Sequence, residues 1–251
     1  MIRLTVWGEN HHEQHDQIVR DIYPDGMHTT IARAVEADGD IVARTATLDQ
    51  PDHGLTDEVL NETDVLAWWG HVRHGDVADD VVERVHKRVL EGMGLLALHS
   101  AHFSKIFIRL MGTACSLTWR SEGETERVWV CNPGHPIARG VPPYFELERE
   151  EMYGEPYAVP DPDETVFVSW FEGGEVFRSG LCYHRGAGRI FYFRPGDQEF
   201  PTYHDAHVQR VIRNATRWLA PQGDRWAEEV VNVTLDKAPQ PFTPRGKGMK
   251  P

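Results

Sequence analysis

Three successive strand–helix units in the first half of the chain, closely spaced short strands in the second, and a closing helix predict an α/β fold. Each early unit is about thirty residues long, the length of a right-handed crossover between parallel strands. The predicted architecture is flavodoxin-like and doubly wound: a mainly parallel sheet with helices on both faces and extra antiparallel strands from the second half. The 251 residues are 40% hydrophobic and 26% charged, ordinary values for a globular chain that buries one sizeable core. Residues 1–220 are expected to form a single domain, and 221–251 a C-terminal extension.

Residues 2–7 alternate apolar and polar side chains and predict the first strand, ended by Gly8. Residues 8–26 read as a long loop rich in Glu, His and Asp, closed by the turn Tyr23-Pro24-Asp25-Gly26. A helix is expected over 29–37, stopped by Gly39, and a strand over 41–48. Thr56 is placed to cap a short helix whose first turn holds Asp57 and Glu58, where the helix dipole favours acids. Residues 64–70 form a continuous apolar run, the third strand. Residues 79–90 set Val81, Val82, Val85 and Val89 on one helical face.

The run 94–98 is long enough for a buried parallel strand and too short for a buried helix. It breaks into His99-Ser100-Ala101-His102, a sharp elbow before a helix over 103–111. Short strands follow at 127–131, 145–148, 166–171, 176–183 and 189–193, some extending the sheet and others forming a flanking layer. Glu151, Tyr153 and Glu155 fall in the loop after the second of these. Helical periodicity returns over 205–219. The Pro/Gly-rich basic tail from Ala238 is expected to be extended and to dock on a neighbouring subunit.

A net charge of −13 argues against nucleic-acid or anionic-membrane partners, because no surplus of Lys and Arg is available to neutralise phosphates. No run approaches the length of a membrane span, and the first thirty residues lack a signal-peptide core. Three cysteines without CxxC spacing point to reduced thiols in the cytoplasm. Apolar residues on the outer faces of the late strands suggest a homo-oligomer.

The 14 histidines are the chemical signal. Ligands of open α/β sheets sit beyond the carboxyl ends of the strands, where Glu9, His12, His71 and His99 would meet. They are candidate ligands of zinc or another divalent metal, although no HExxH motif occurs. The alternative without metal is acid–base work by His99 and His102. Ser100 lacks the small flanking residues of a hydrolase elbow; it reads as a helix cap or, less simply, a nucleophile. No nucleotide cofactor is expected.

Several segments together resemble one family: 7–28 with Tyr23-Pro24-Asp25-Gly26-Met27-His28, Trp68-Trp69-Gly70-His71, Leu98-His99-Ser100-Ala101-His102-Phe103, Pro133-Gly134-His135-Pro136, Glu150-Glu151-Met152-Tyr153-Gly154-Glu155, and Phe191-Tyr192-Phe193-Arg194-Pro195-Gly196. In this order, across residues 2–219, they resemble the ThuA family, named for trehalose utilisation. The resemblance implies the class I glutamine amidotransferase-like superfamily and disaccharide catabolism with a partner sugar dehydrogenase that makes 3-keto sugars. Amidotransferases carry a nucleophilic cysteine at the fourth-strand elbow. His99 and Ser100 stand there instead, so glutaminase activity is not expected. Pro195-Gly196-Asp197 departs from the usual histidine after Pro-Gly, and Asp197 keeps an acid–base group.

The expected reaction is proton abstraction beside the carbonyl of a small sugar substrate, as in an isomerase or lyase, with His99, Ser100, His102, Glu155 and Asp197 as candidate catalytic residues. Trp69, His135, Tyr153, Trp170, Glu172 and His204 are candidate sugar contacts, aromatic faces stacking on C–H faces and polar groups meeting hydroxyls. The alternative is a non-catalytic sugar-binding or accessory subunit of the dehydrogenase. A Ser100 hydrolase comes third.

Overall fold

A computed structural model describes residues 1–221. Its strands are β1 (Ile2–Gly8), β2 (Ile41–Thr47), β3 (Val65–Trp69), β4 (Gly94–Leu98), β5 (Thr118–Val130), β6 (Tyr144–Gly154), β7 (Glu164–Phe171), β8 (Val176–Arg185) and β9 (Gly188–Phe193). All nine join one sheet in the order β2-β1-β3-β4-β9-β8-β7-β5-β6. The first five in that order are parallel, and β8, β7, β5 and β6 continue antiparallel. This is the predicted doubly wound sheet with its antiparallel addition. The expected flanking layer is absent among the described residues, because every late strand pairs edge to edge with the same sheet.

Seven α-helices accompany the strands: α1 (His12–His15), α2 (Gln17–Ile22), α3 (Met27–Val35), α4 (Asp57–Asn61), α5 (Asp79–Leu90), α6 (Lys105–Met111) and α7 (Ala206–Leu219). α1 and α2 fold inside the segment expected to be a loop, Asp16 capping α2 by accepting from the Ile18 N–H. Helix α3 starts two residues before its expected beginning because Gly26, at φ +89°, supplies the turn into it. Helices α3 and α7 cover one face of the sheet over Leu96, Leu98, Phe191 and Phe193. Helices α4, α5 and α6 cover the other over Leu95, Ala97, Ile190 and Tyr192. Burial on both faces explains why β3 and β4 read as unbroken apolar runs.

After β4 the chain takes a 3-10 turn, His99–Phe103, before α6. Ser104, not Ser100, caps that helix, accepting from the Phe107 N–H. Cys115 and Cys182 are buried, while Cys131 is exposed. Among the described residues no helix is long and apolar enough to cross a membrane. The extension and its expected docking lie outside the described residues.

The start of β4 lies against the end of α7: a Cβ on Gly94 would stand 2.5 Å from the Leu219 carbonyl oxygen and 2.7 Å from its Cβ. Gly94→Ala should therefore lower stability by about 1–3 kcal/mol, read as a reduced urea midpoint with an unchanged slope.

Candidate active site at the strand ends

His99 is the first residue beyond β4, and its backbone adopts φ +50°, a left-handed conformation that costs a residue with a Cβ roughly 1–2 kcal/mol. Its surroundings hold it there. Nδ1–H donates to the Arg194 carbonyl at 2.9 Å, which leaves Nε2 as the working nitrogen. Nε2 stands 3.2 Å from Glu151 Oε2, 3.6 Å from Asp197 Oδ2 and 3.3 Å from the Tyr153 hydroxyl oxygen. The Tyr153 ring stacks on the imidazole with centroids 4.9 Å apart.

His99 is 0% exposed, Asp197 1% and Glu151 5%. Burial pulls the imidazole pKa down, but hydrogen bonding and Coulomb attraction to Asp197 and Glu151 outweigh it and push His99 up to about 9. Burial raises Asp197, and contact with His99 more than offsets this, so its carboxyl ends below the ordinary value.

Glu151 and Tyr153 belong to β6 rather than to a loop after it. Register shifts in the β5–β6 ladder between Arg120 and Glu126 break the two-residue alternation. Five successive residues, Glu150 to Gly154, are buried as a result. Beneath them lies Arg194, directly after β9 and fully buried. One terminal nitrogen donates to Glu126 at 2.6 Å and Glu150 at 2.8 Å; the other donates to the Glu151 carbonyl. The guanidinium lies over the rings of Tyr153 and Phe171, 5.4 and 5.1 Å from their centroids. Ser169 and Thr202 hydroxyls donate to Glu126 and Glu150 respectively. Burial raises both carboxyls, Glu150 to about 7.

A family model for ThuA, described as trehalose utilisation, matches residues 3–219. The chain belongs to the ThuA family. Two similar solved structures are ThuA-like proteins. That from Bacteroides uniformis is 16% identical, covers 86% of this chain and 90% of its own, and has a TM-score of 0.62. That from Parabacteroides merdae is 13% identical, with 91% and 92% covered and a TM-score of 0.63. A protein from Salmonella typhimurium described as cytoplasmic is 13% identical, with 88% and 100% covered and a TM-score of 0.56. At these identities the likeness concerns the fold. No curated protein matches the chain.

Within this ThuA chain, three of the sequence-selected residues, His99, Tyr153 and Asp197, meet, joined by Glu151. The other candidates are engaged elsewhere. Glu9 accepts from the backbone N–H groups of His71, Val72 and Arg73 at 2.7, 3.2 and 2.9 Å, so its carboxylate orders the loop after β3. His12 Nε2 and His71 Nδ1 face each other at 2.9 Å, and burial lowers both, His71 to about 4. The four-ligand set Glu9, His12, His71 and His99 is therefore not assembled.

Ser100 Oγ donates to the Gly70 carbonyl at 2.7 Å, a structural bond inside the turn. His102 Nδ1–H donates to the Cys115 carbonyl at 2.8 Å, and burial pushes its pKa down to about 3, leaving it neutral beside Tyr153. Trp69 is a strut, its Nε1–H donating to the Gly196 carbonyl at 3.0 Å. Glu155 pairs with Arg178. His135 accepts from the Ile137 N–H and packs against Trp218. His204 donates to the Ile22 carbonyl and stacks on Tyr23. Trp170 and Glu172 border a surface groove of about 250 Å³ with Arg127 and Glu146, on the outer strands.

Glu126, Glu150 and Arg194 were missed from sequence. The hints were an arginine closing a strand of buried aromatics and the place of Glu150 and Arg194 within two of the segments that carry the family resemblance. Removing the one cation from this buried triad leaves two carboxylates facing each other. Arg194→Met should cost about 3–5 kcal/mol in urea unfolding, and adding Glu126→Gln and Glu150→Gln should recover part of it.

Proposed function

We propose that this chain acts on a carbonyl-bearing sugar, a trehalose-derived disaccharide or related keto-sugar, by proton transfer at the carbon beside the carbonyl. The observation that carries this is the His99 Nε2 acid held between two buried carboxylates, with its other nitrogen locked on a backbone carbonyl. The family's trehalose-utilisation description supplies the sugar class.

In this reading the sugar carbonyl oxygen accepts a hydrogen bond from the positive centre at Nε2. Glu151 has no backbone or hydroxyl donor on its carboxylate among the described hydrogen bonds, and it takes the proton from the α-carbon. The C–H electron pair forms the C=C bond of an enediolate while the carbonyl π pair moves onto oxygen. Return of that proton to the former carbonyl carbon, while His99 Nε2 gives its proton to the former carbonyl oxygen and takes the hydroxyl proton from the adjacent one, completes an isomerisation. Alternatively the C–O bond at the β-carbon breaks, and the leaving oxygen takes the proton, completing an elimination. Asp197, fixed by the Glu199 N–H at 2.8 Å, positions His99.

A sugar dehydrogenase partner would supply the keto group, because the step needs a carbonyl and the reading invokes no nucleotide cofactor. We place the reaction in the cytoplasm, in keeping with three free cysteines and the description of the Salmonella neighbour. With His99 fully buried, sugar entry requires the surrounding loops to open.

The test is turnover of 3-keto-trehalose and related 3-keto-glycosides by the purified chain. His99→Gln and Glu151→Gln should each lower kcat by about 10²–10⁴-fold, whereas Glu155→Gln and Ser100→Ala should stay within about threefold of the parent. Sugar binding without turnover by the parent protein would overturn the enzymatic reading in favour of an accessory subunit. Labelling of Ser100 by a serine-directed phosphonate would favour a hydrolase.

A further inference from the structure

The cluster around His99 carries a charge imbalance that its neighbours do not correct. Arg194 is engaged by Glu126 and Glu150. For Glu151 and Asp197, the only cationic side chain within 4 Å among the described residues is His99. Two carboxylates and one imidazole therefore share a site almost closed to water, and even a protonated His99 leaves one net negative charge there. Uncompensated buried charge is strongly unfavourable.

The spacing suits a cation. Nε2 of His99 and one oxygen each of Glu151 and Asp197 all lie within 4.8 Å of one another, with Nε2 3.2 and 3.6 Å from the two oxygens. Ligands bound to one ion at about 2.0–2.2 Å stand about 3.0 Å apart in octahedral and about 3.4 Å apart in tetrahedral geometry. An independent feature points the same way. A metal-bound imidazole characteristically donates its other N–H to a carbonyl or carboxylate, which fixes the tautomer, and Nδ1–H of His99 donates to the Arg194 carbonyl. Glu151, 5% exposed, directs its carboxylate into the cluster with no hydroxyl or amide donor on it. The Tyr153 hydroxyl oxygen, 3.3 Å from Nε2, is placed to bond a further ligand of the ion.

We propose that His99 Nε2, Glu151 and Asp197 form a binding site for one divalent transition-metal ion such as zinc, manganese or cobalt. The inference rests on the cluster assigned above and deepens that reading: the ion would replace the Nε2 proton as the positive centre facing the sugar oxygen. It also moves the metal away from the Glu9 carboxylate, which accepts from three backbone amides, and from the facing nitrogens His12 Nε2 and His71 Nδ1.

The experiment uses the full untagged chain, stripped with a chelator and titrated with Zn²⁺ or Mn²⁺ by calorimetry and with Co²⁺ by visible absorption, without sugar. One equivalent should bind and raise the thermal midpoint. Glu151→Gln and Asp197→Asn, each checked for a native circular dichroism spectrum, should weaken binding by at least about 10–100-fold; Glu151→Asp should retain part of it. His12→Gln should bind as the parent does. Absence of saturable binding by the parent, or binding unchanged in both amide variants, overturns the site. Turnover by metal-stripped protein would sink the metal while leaving the proton-transfer reading intact. Stoichiometric metal binding without turnover of any keto-sugar would do the reverse.

Discussion

A single buried guanidinium joins the two halves of the sheet. Arg194 leaves the last parallel strand, and its backbone N–H donates to Ser179 of β8 while its carbonyl holds His99. Its side chain reaches Glu126 on β5 and Glu150 and Glu151 on β6. Five elements therefore meet at this one residue, β5 and β6 through its guanidinium and β8 and the turn after β4 through its backbone. A guanidinium suits this task because its planar fork presents several donors in a fixed geometry and stays charged when buried. The aromatic faces of Tyr153 and Phe171 cover what the carboxylates leave open.

The topology explains why such a tie is needed. The fifth parallel strand, β9, comes after four antiparallel strands in the chain, so β5 to β8 are inserted before the doubly wound core is complete. The core delivers His99 from the end of β4 and Asp197 from just beyond β9. The insertion delivers Glu151 and Tyr153 from β6, the far edge strand in the pairing order. Register shifts between β5 and β6 bring consecutive residues of that strand into the interior, and Arg194 anchors the buried stretch. The turn after β4 places a left-handed residue directly at the strand end, that residue is an imidazole, and the thiols lie elsewhere.

The histidines illustrate how far environment separates identical side chains. His71 and His102 lose water without gaining a carboxylate contact, and burial drives them to about 4 and about 3. His99 is more deeply buried than either, yet two flanking carboxylates raise it to about 9. Desolvation alone would predict the opposite order. The contrast between these neutral imidazoles and the position where a positive centre is stabilised concentrates the chemistry on Nε2 of His99.

Much of the fold was legible in the chain. The unbroken apolar runs of β3 and β4, the valine stripe of α5 and the Thr56 cap appear where periodicity and capping chemistry put them, because these patterns record local exposure, which neighbours a few residues apart largely decide. The elbow at His99 was legible for the same reason. The meeting of residues 99, 151 and 197 was not. It depends on strand order, on a register shift that turns a strand read as a loop into a buried one, and on which carboxylates already have partners. Glu9 and Glu151 look equally available in sequence. Only the tertiary structure assigns three backbone amides to one and an imidazole to the other, since those contacts span 62 to 64 residues for Glu9 and 52 residues, 151 less 99, for Glu151, beyond the reach of any local pattern.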